Sequence, residues 1–188
     1  MEKTRKLEEL KMEMMRDASL PLQPANLVFG EGNPHCDILF IGEAPGKKED
    51  ELIRPFVGRS GQLLNKMLEE IQLRREDVYI TNIVKRRPPD NRDPLFEEIM
   101  AYKPYLTRQI DIIQPLVIVT LGRFSMNYFI PEGKISRDEG FPVSFGAYVL
   151  YPMLHPAAAL RSSKMSASFK KSFLQLPHVL QKYKKNKA

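Results

Sequence analysis

Three residues with chemically versatile side chains, Glu43, Asn82 and His155, stand at or directly after the ends of short apolar runs. The amide of Asn82 both donates and accepts hydrogen bonds, so it could read the edge of a pyrimidine. The imidazole of His155 could donate a hydrogen bond to an oxygen that gains negative charge during a reaction. If the fold brings these groups together, we expect a site that binds a base and stabilises an anion, with the carboxyl group of Glu43 beside it.

The apolar runs predict β-strands, and helical patterns lie between them. Most of the runs are nearly continuous in apolar and β-branched residues, as expected for strands that are covered on both faces. The predicted strands are residues 37–42, 78–82, 116–122 and 148–155. The predicted helices are residues 2–17, 60–71, 94–113, 122–129 and 166–183, with a kink or break at Pro104 and a bend at Pro177.

Strands that alternate with helices predict an α/β fold. We expect a three-layer α/β/α arrangement with a central four-stranded parallel sheet, in a single domain over residues 1–188 with a basic tail at about 181–188. Ligands of such sheets bind beyond the carboxyl ends of the strands. The predicted topology therefore brings Glu43, Asn82 and His155 to one edge, together with the basic loop that follows Asn82.

The glycine-rich turn "GEAPG" (42–46) could instead hold a phosphate. It lacks both glycine signatures of nucleotide-phosphate loops. Pro45 removes a backbone donor, and Glu43 and Asp50 add negative charge where a phosphate would lie. A phosphate site is therefore not expected, and the turn is interpreted as the wall of a pocket that contains Glu43.

The composition adds weaker indications. The formal charge of +6 favours a polyanionic partner, and four of the basic residues form a loop cluster of Lys85, Arg86, Arg87 and Arg92. The single cysteine, Cys36, excludes an intramolecular disulfide framework and favours a reducing, cytoplasmic location. No apolar run has the length of a membrane span, so we expect no membrane association.

Five stretches in this order resemble the uracil-DNA glycosylase superfamily, and most closely its family 4. They are "GEAPG" (42–46), "RPFVGRSGQLL" (54–64), "TNIVKRRPPDNRDP" (81–94), "PYL…QI" (104–110) and "HPAAALR" (155–161). The resemblance implies a monomeric enzyme that excises uracil from single- or double-stranded DNA by base flipping and leaves an abasic site. A non-catalytic protein that binds uracil or abasic DNA stays open as an alternative, as does a glycosylase for another deaminated base.

The resemblance also implies roles for individual residues. Phe56 would stack on the extruded uracil, which is the alternative to packing on the core, and Asn82 would bind the polar edge of the base. His155 would stabilise the departing uracil anion, and Glu43 would offset the sugar cation or orient water. The remaining implied residues are Gly42 and Ala44 at the pocket, Asn91 either at the pocket or holding its loop, Lys85, Arg86 and Arg87 at the DNA backbone, and Leu160 or Arg161 as the wedge that enters the DNA.

The chain departs from family 4 at one feature. Most relatives in that family hold a four-iron, four-sulfur cluster on four cysteines, and the corresponding positions here are approximately Met15, Ala18, Arg86 and Tyr102. The resemblance therefore implies that the cluster is absent and that the protein has no metal or other cofactor. Arg86 and Tyr102 are predicted to replace it as a brace through a cation–π contact.

Overall fold

The computed structural model describes residues 1–185 and contains one mixed β-sheet. Its strands are β1 (Glu31–Gly32), β2 (Ile38–Gly42), β3 (Tyr79–Asn82), β4 (Val117–Leu121), β5 (Val143–Phe145) and β6 (Tyr148–Met153). Their spatial order is β1-β3-β2-β4-β6-β5. The four central strands are parallel, which confirms the predicted sheet, and β1 and β5 add antiparallel edges. These two edge strands have only two and three residues and no buried side chain, so no apolar run marks them.

Eight α-helices connect or cover the strands within the described residues. They are α1 (Glu2–Arg16), α2 (Lys47–Leu52), α3 (Arg59–Glu70), α4 (Phe96–Ile113), α5 (Arg123–Phe129), α6 (Ile135–Asp138), α7 (Pro156–Ala159) and α8 (Ser163–Lys185). Pro104 and Pro177 lie inside continuous helices, so neither splits its helix. Of the predicted basic tail, residues 181–185 continue α8 and residues 186–188 lie outside the described part of the chain.

The sheet separates two apolar clusters, which gives the predicted three layers. Successive residues of β2 point to opposite faces: Phe40 packs with Phe173 of α8 and with α3, whereas Leu39 packs with Leu106 of α4 and with α1. This alternation follows from the two-residue period of a strand, and both faces are apolar because both are covered. The carboxyl ends of the central strands are thereby fixed side by side. No helix in residues 1–185 has the length and apolar character needed to cross a membrane.

Candidate active site

The ends of β2 and β3 bring three motif residues into contact. Gly42 pairs with Asn82 across the parallel ladder. A Cβ atom at Gly42 would lie 2.5 Å from Cζ of Phe56 and would also collide with Oδ1 of Asn82. Only glycine therefore lets the Phe56 ring and the Asn82 amide approach this turn, which explains the glycine that ends the first predicted strand.

Asn82 is buried but incompletely paired. Its side chain is 1% exposed, and its Oδ1 atom has no hydrogen-bond partner. An unpaired buried acceptor costs about 1–3 kcal/mol, so a folded protein rarely retains one without a reason. The arrangement suits a ligand that donates a hydrogen bond to Asn82 at the end of β3.

His155 follows β6 and caps the short helix α7. Its Nδ1 atom accepts a hydrogen bond from the backbone N–H of Ala157 at 3.1 Å. A neutral imidazole whose Nδ1 is an acceptor carries its proton on Nε2, so Nε2 is a donor. Burial lowers the pKa of His155 to about 4, the charge of Arg161 lowers it further, and Glu49 opposes the change. The imidazole is therefore neutral at pH 7 and is available as a hydrogen-bond donor.

The His155 ring lies beside the Phe56 ring. The two ring centroids are 5.8 Å apart with an interplanar angle of 35°. Gly122, directly after β4, makes room for this arrangement, because a Cβ atom there would lie 3.0 Å from Cβ of His155. Phe56 is buried and belongs to the apolar cluster on the α3 and α8 side. It therefore packs on the core and faces the site at the same time.

Glu43 directly follows β2 and has an unusual ionisation. Burial raises the pKa of its carboxyl group to about 7, the charge of Asp93 raises it further, and Arg123 opposes the change. Asp93 and Arg123 form an ion pair of 2.8 Å between the basic loop and the start of α5. Sequence reasoning missed both residues, although Arg123 directly follows the glycine that ends a predicted strand. Glu43 can thus change its charge near neutral pH, as expected for a group that handles water or a proton.

Lys85 is predicted from the sequence to contact DNA, but its side chain is buried in the structure. Its side chain is 0% exposed, and Nζ donates to Oγ1 of Thr81 at 2.5 Å and to Oε1 of Gln109 at 2.7 Å. Burial lowers the pKa of this amine well below its usual value. The prediction that Lys85 contacts DNA phosphates is wrong in this structure, because a fully buried amine cannot reach them.

Arg86 also points inward and is only 7% exposed. It donates to the backbone carbonyl of Ala25 and lies near the hydroxyl group of Tyr102. Burial raises the pKa of Tyr102, and the nearby Arg86 partly opposes this change. Tyr102 donates to the carbonyl of Pro21 at 2.8 Å. Arg86 and Tyr102 therefore do approach each other, but they meet at the hydroxyl group and not over the ring face. This burial contradicts the predicted phosphate contact of Arg86.

The remaining predicted residues lie at or near the surface. Nε of Arg87 donates to Oδ1 of the exposed Asn91 at 2.7 Å, so Asn91 holds the basic loop in this structure. Leu160, which is 42% exposed, and Arg161 directly follow α7, one short helix beyond His155. Ala44 packs against the apolar cluster on the α1 and α4 side of the sheet.

The four positions aligned with cluster cysteines do not fit an iron–sulfur cluster. Met15, Ala18, Arg86 and Tyr102 supply no thiolate, and such clusters are held by thiolates. Cys36 is buried in the apolar cluster of α1 and α4, where burial raises the pKa of its thiol to about 12. Among residues 1–185, no group of three or more His, Cys, Asp or Glu side chains could hold a metal ion.

Comparison with known proteins identifies the class to which this site belongs. Residues 29–176 match the model of the uracil DNA glycosylase superfamily, so the chain belongs to that superfamily. A type-4 uracil-DNA glycosylase of Thermotoga maritima is 47% identical over 146 residues, which cover 76% of each chain. The type-4 enzyme of Sulfurisphaera tokodaii is 45% identical over 161 residues, 80% of this chain and 73% of that one. The type-4 enzyme of Archaeoglobus fulgidus is 39% identical over 184 residues, 90% of this chain and 91% of that one.

Proposed function

We propose that this protein is a DNA repair glycosylase that hydrolyses the N-glycosidic bond of uracil in DNA and leaves an abasic site. The observation that carries the proposal is the buried, unpaired Oδ1 of Asn82 beside Gly42, Phe56 and His155. An extruded uracil presents an N–H donor at N3, which would complete the hydrogen bonding of this oxygen. Family membership supports the same reaction, because three similar proteins are named for it.

The same amide would select uracil against cytosine. Uracil has a donor at N3 and an acceptor at O4, which complement the acceptor and the donor of Asn82. Cytosine has an acceptor at N3 and a donor at N4, so both hydrogen bonds would be mismatched. Buried groups left unpaired by the wrong base can give discrimination of about 10⁴-fold or more. Phe56 would contribute a stacking surface, which is sequence-tolerant and worth about 1–3 kcal/mol per base.

His155 would stabilise the leaving group. When the bond between C1′ and N1 breaks, its electron pair goes to uracil, and negative charge accumulates on O2. The Nε2–H group of the neutral His155 can donate to this oxygen, and its place is fixed by the bond from Ala157 to Nδ1. A neutral donor is suitable because it keeps its own proton, and uracil can depart as the anion.

Glu43 would act on the other reacting partner. The sugar becomes oxocarbenium-like as uracil departs, and water then adds to C1′ and loses a proton. A Glu43 carboxylate can offset the positive charge of the sugar and orient the water. Because the pKa of Glu43 is about 7, the carboxylate form increases as pH rises through neutrality.

Access to the base requires extrusion from the helix. Flipping costs a few kcal/mol of lost stacking and pairing. Leu160 or Arg161 would occupy the vacated position, and their exposure directly after the α7 helix that His155 caps supports this role. Arg87 is the member of the Lys85–Arg87 triplet that remains partly exposed and suited to a phosphate contact.

The proposal is tested by release of free uracil from single- and double-stranded oligonucleotides, followed by detection of alkali-labile sites. We expect turnover by a monomer that contains no iron and keeps its activity in a chelator. Binding without release would favour a non-catalytic uracil-binding protein. Release of hypoxanthine or xanthine but not uracil would favour another deaminated base. The predicted cytoplasmic location belongs to the same proposal and rests on the single cysteine.

A further inference from the structure

The backbone of Phe56 adopts a conformation that residues with a side chain rarely take. Its φ angle is 51°, in the left-handed region, and Phe56 is followed by two residues that lead into α3. Such a conformation persists only where the surroundings hold it. The peptide groups of residues 55–58 are held by two charged side chains, Glu49 and Arg75, to which the reaction proposed above assigns no role.

Glu49, in α2, binds the segment on its carboxyl-terminal side. Its Oε1 atom accepts hydrogen bonds from the backbone N–H groups of Val57 at 2.9 Å and Gly58 at 2.7 Å. The carboxylate lies between two motif glycines: a Cβ atom at Gly46 would be 2.8 Å from Oε2, and one at Gly58 would be 3.2 Å from Oε1. Glu49 therefore joins the "GEAPG" turn to the loop that carries Phe56.

Arg75, in the short 3-10 helix Arg75–Asp77, binds the segment on its amino-terminal side. Nη1 donates to the carbonyl of Phe56 at 3.0 Å, and Nη2 donates to the carbonyl of Pro55. The guanidinium is itself fixed, since Nη1 also donates to Asn65 at 3.0 Å and Nε pairs with Glu31 at 2.5 Å. The side chain is only 13% exposed, so these bonds are largely shielded from water.

The helix that follows packs closely against the Phe56 carbonyl. A Cβ atom at Gly61, in the first turn of α3, would overlap this carbonyl oxygen. Arg75 thus donates a hydrogen bond to this oxygen, and the α3 backbone packs against the same oxygen. Both motif segments, 42–46 and 54–64, are thereby tied to the placement of a single aromatic ring.

We propose that Glu49 and Arg75 are positioning residues that hold the Phe56 ring against Gly42 and His155, where the extruded base stacks. The inference rests on the proposed function and deepens it. Neither residue needs to touch the base, because each acts on the peptide groups that set the direction of the Phe56 side chain. Loss of either should misplace the ring, and small misplacements in an active site can cost up to about 10²-fold in rate.

The experiment is a double-mutant cycle in single-turnover uracil release. Glu49→Ala and Arg75→Ala should each lower the rate at saturating enzyme and raise the enzyme concentration needed for half-saturation. In a Phe56→Leu background, which keeps apolar volume but lacks the ring, the same substitutions should have effects within about twofold. Glu49→Gln, which keeps an acceptor oxygen, should retain most of the activity. Glu51→Ala on the same helix and Arg74→Ala next to Arg75 are the matched controls and should resemble the wild type.

Specific results would count against the inference. If Glu49→Ala or Arg75→Ala lowers the rate as strongly without the Phe56 ring as with it, the two residues do not act through Phe56 and the inference is overturned. Should the alanine variants fail to fold, Glu49→Met and Arg75→Met, which keep side-chain volume but lack the hydrogen-bonding groups, complete the same cycle. If the wild type releases no uracil, the proposed function fails, but hydrogen exchange still tests the positioning. The amides of Val57 and Gly58 should then exchange faster in Glu49→Met than in the wild type, and unchanged exchange would count against the inference.

Discussion

Asn82 and Lys85 lie three residues apart, and both are almost completely buried, but only the polar atom of Lys85 has hydrogen-bond partners. The amine of Lys85 has two partners, Thr81 and Gln109, and Gln109 in turn donates to the carbonyl of Phe29 at 3.1 Å. Oδ1 of Asn82 has none. The first arrangement is a closed network that joins β3, α4 and the segment before β1, whereas Oδ1 of Asn82 at the end of β3 belongs to no hydrogen-bond network.

Hydrogen-bond pairing of a buried side chain distinguishes a structural residue from a ligand-binding residue better than residue type does. From its charge alone, Lys85 belongs to a basic loop that should bind DNA, and Asn82 could be a strand terminator. Burial reverses the first interpretation, because a buried amine with its hydrogen bonds satisfied stabilises the fold. Oδ1 of Asn82 shares the lack of a partner with other buried atoms, such as Oγ1 of Thr120, but it lies beside Gly42 and Phe56, where the proposed base would bind.

The largest effect is expected at the group that faces the leaving anion. His155→Ala removes the Nε2–H donor and should lower single-turnover uracil release by about 10²-fold or more, the usual scale for such a donor. Binding of uracil-containing DNA should be nearly unchanged. His178→Ala, on the exposed side of α8, is the matched control. Release within a few-fold of wild type in His155→Ala would remove His155 from the chemistry.

Asn82 should show the second largest effect, and its effect should include a change in preference. In Asn82→Asp the carboxylate retains an acceptor for N3–H but loses the donor to O4, so uracil release should fall by about tenfold or more. A buried aspartate that takes up a proton presents a donor, which suits N3 of cytosine. Release should therefore be measured on matched uracil and cytosine duplexes. Wild-type activity on uracil would show that the amide donor of Asn82 does not bind O4 of the base.

Sequence reasoning located the site because strand ends and motif spacing are local signals. Asn82 and His155 follow apolar runs, and a parallel sheet brings such ends together whatever the intervening helices contain. The direction of a basic side chain after the strand is not a local signal. Lys85 turns inward because Thr81 and Gln109 offer buried acceptors, and Gln109 is 24 residues away in α4. The same limit hid the Asp93–Arg123 pair, which joins residues 30 positions apart.

A smaller effect should distinguish the structural role of Lys85 from the DNA-binding role of Arg87. Lys85→Met leaves Thr81 and Gln109 without their donor and should lower the free energy of unfolding by about 1–3 kcal/mol. Its uracil release per folded molecule and its DNA affinity should be unchanged. Arg87→Ala should do the reverse: stability stays near wild type, and the salt dependence of DNA binding becomes shallower by about one phosphate contact. Thermal unfolding and binding titrations at several salt concentrations measure both. A loss of phosphate contacts in Lys85→Met would contradict its structural role.

The smallest expected effect concerns Glu43, whose distinguishing feature is its ionisation near neutral pH. Its pKa is about 7, so uracil release should rise with pH through neutrality as the carboxylate forms. Asp93 raises this pKa and Arg123 lowers it. Asp93→Asn should therefore move the rise to lower pH, and Arg123→Gln should move it to higher pH. Each shift should be less than about one pH unit, because the pair is exposed. His155 is no part of this rise, since it is neutral above a pKa of about 4.

Stability provides an independent measurement of the same group. The pKa of Glu43 is higher in the folded protein than in the unfolded chain, so the fold loses stability as pH rises from about 4.5 to about 7. Glu43→Gln has no carboxylate to bury and should lack this loss of stability, while it also loses the pH-dependent rise in release. Thermal unfolding should show stability falling from about pH 4.5 to about pH 7 and then levelling off, whereas single-turnover release should rise around pH 7. If the rise in activity survives in Glu43→Gln, another group titrates in the reaction, and the role of Glu43 at the sugar is refuted.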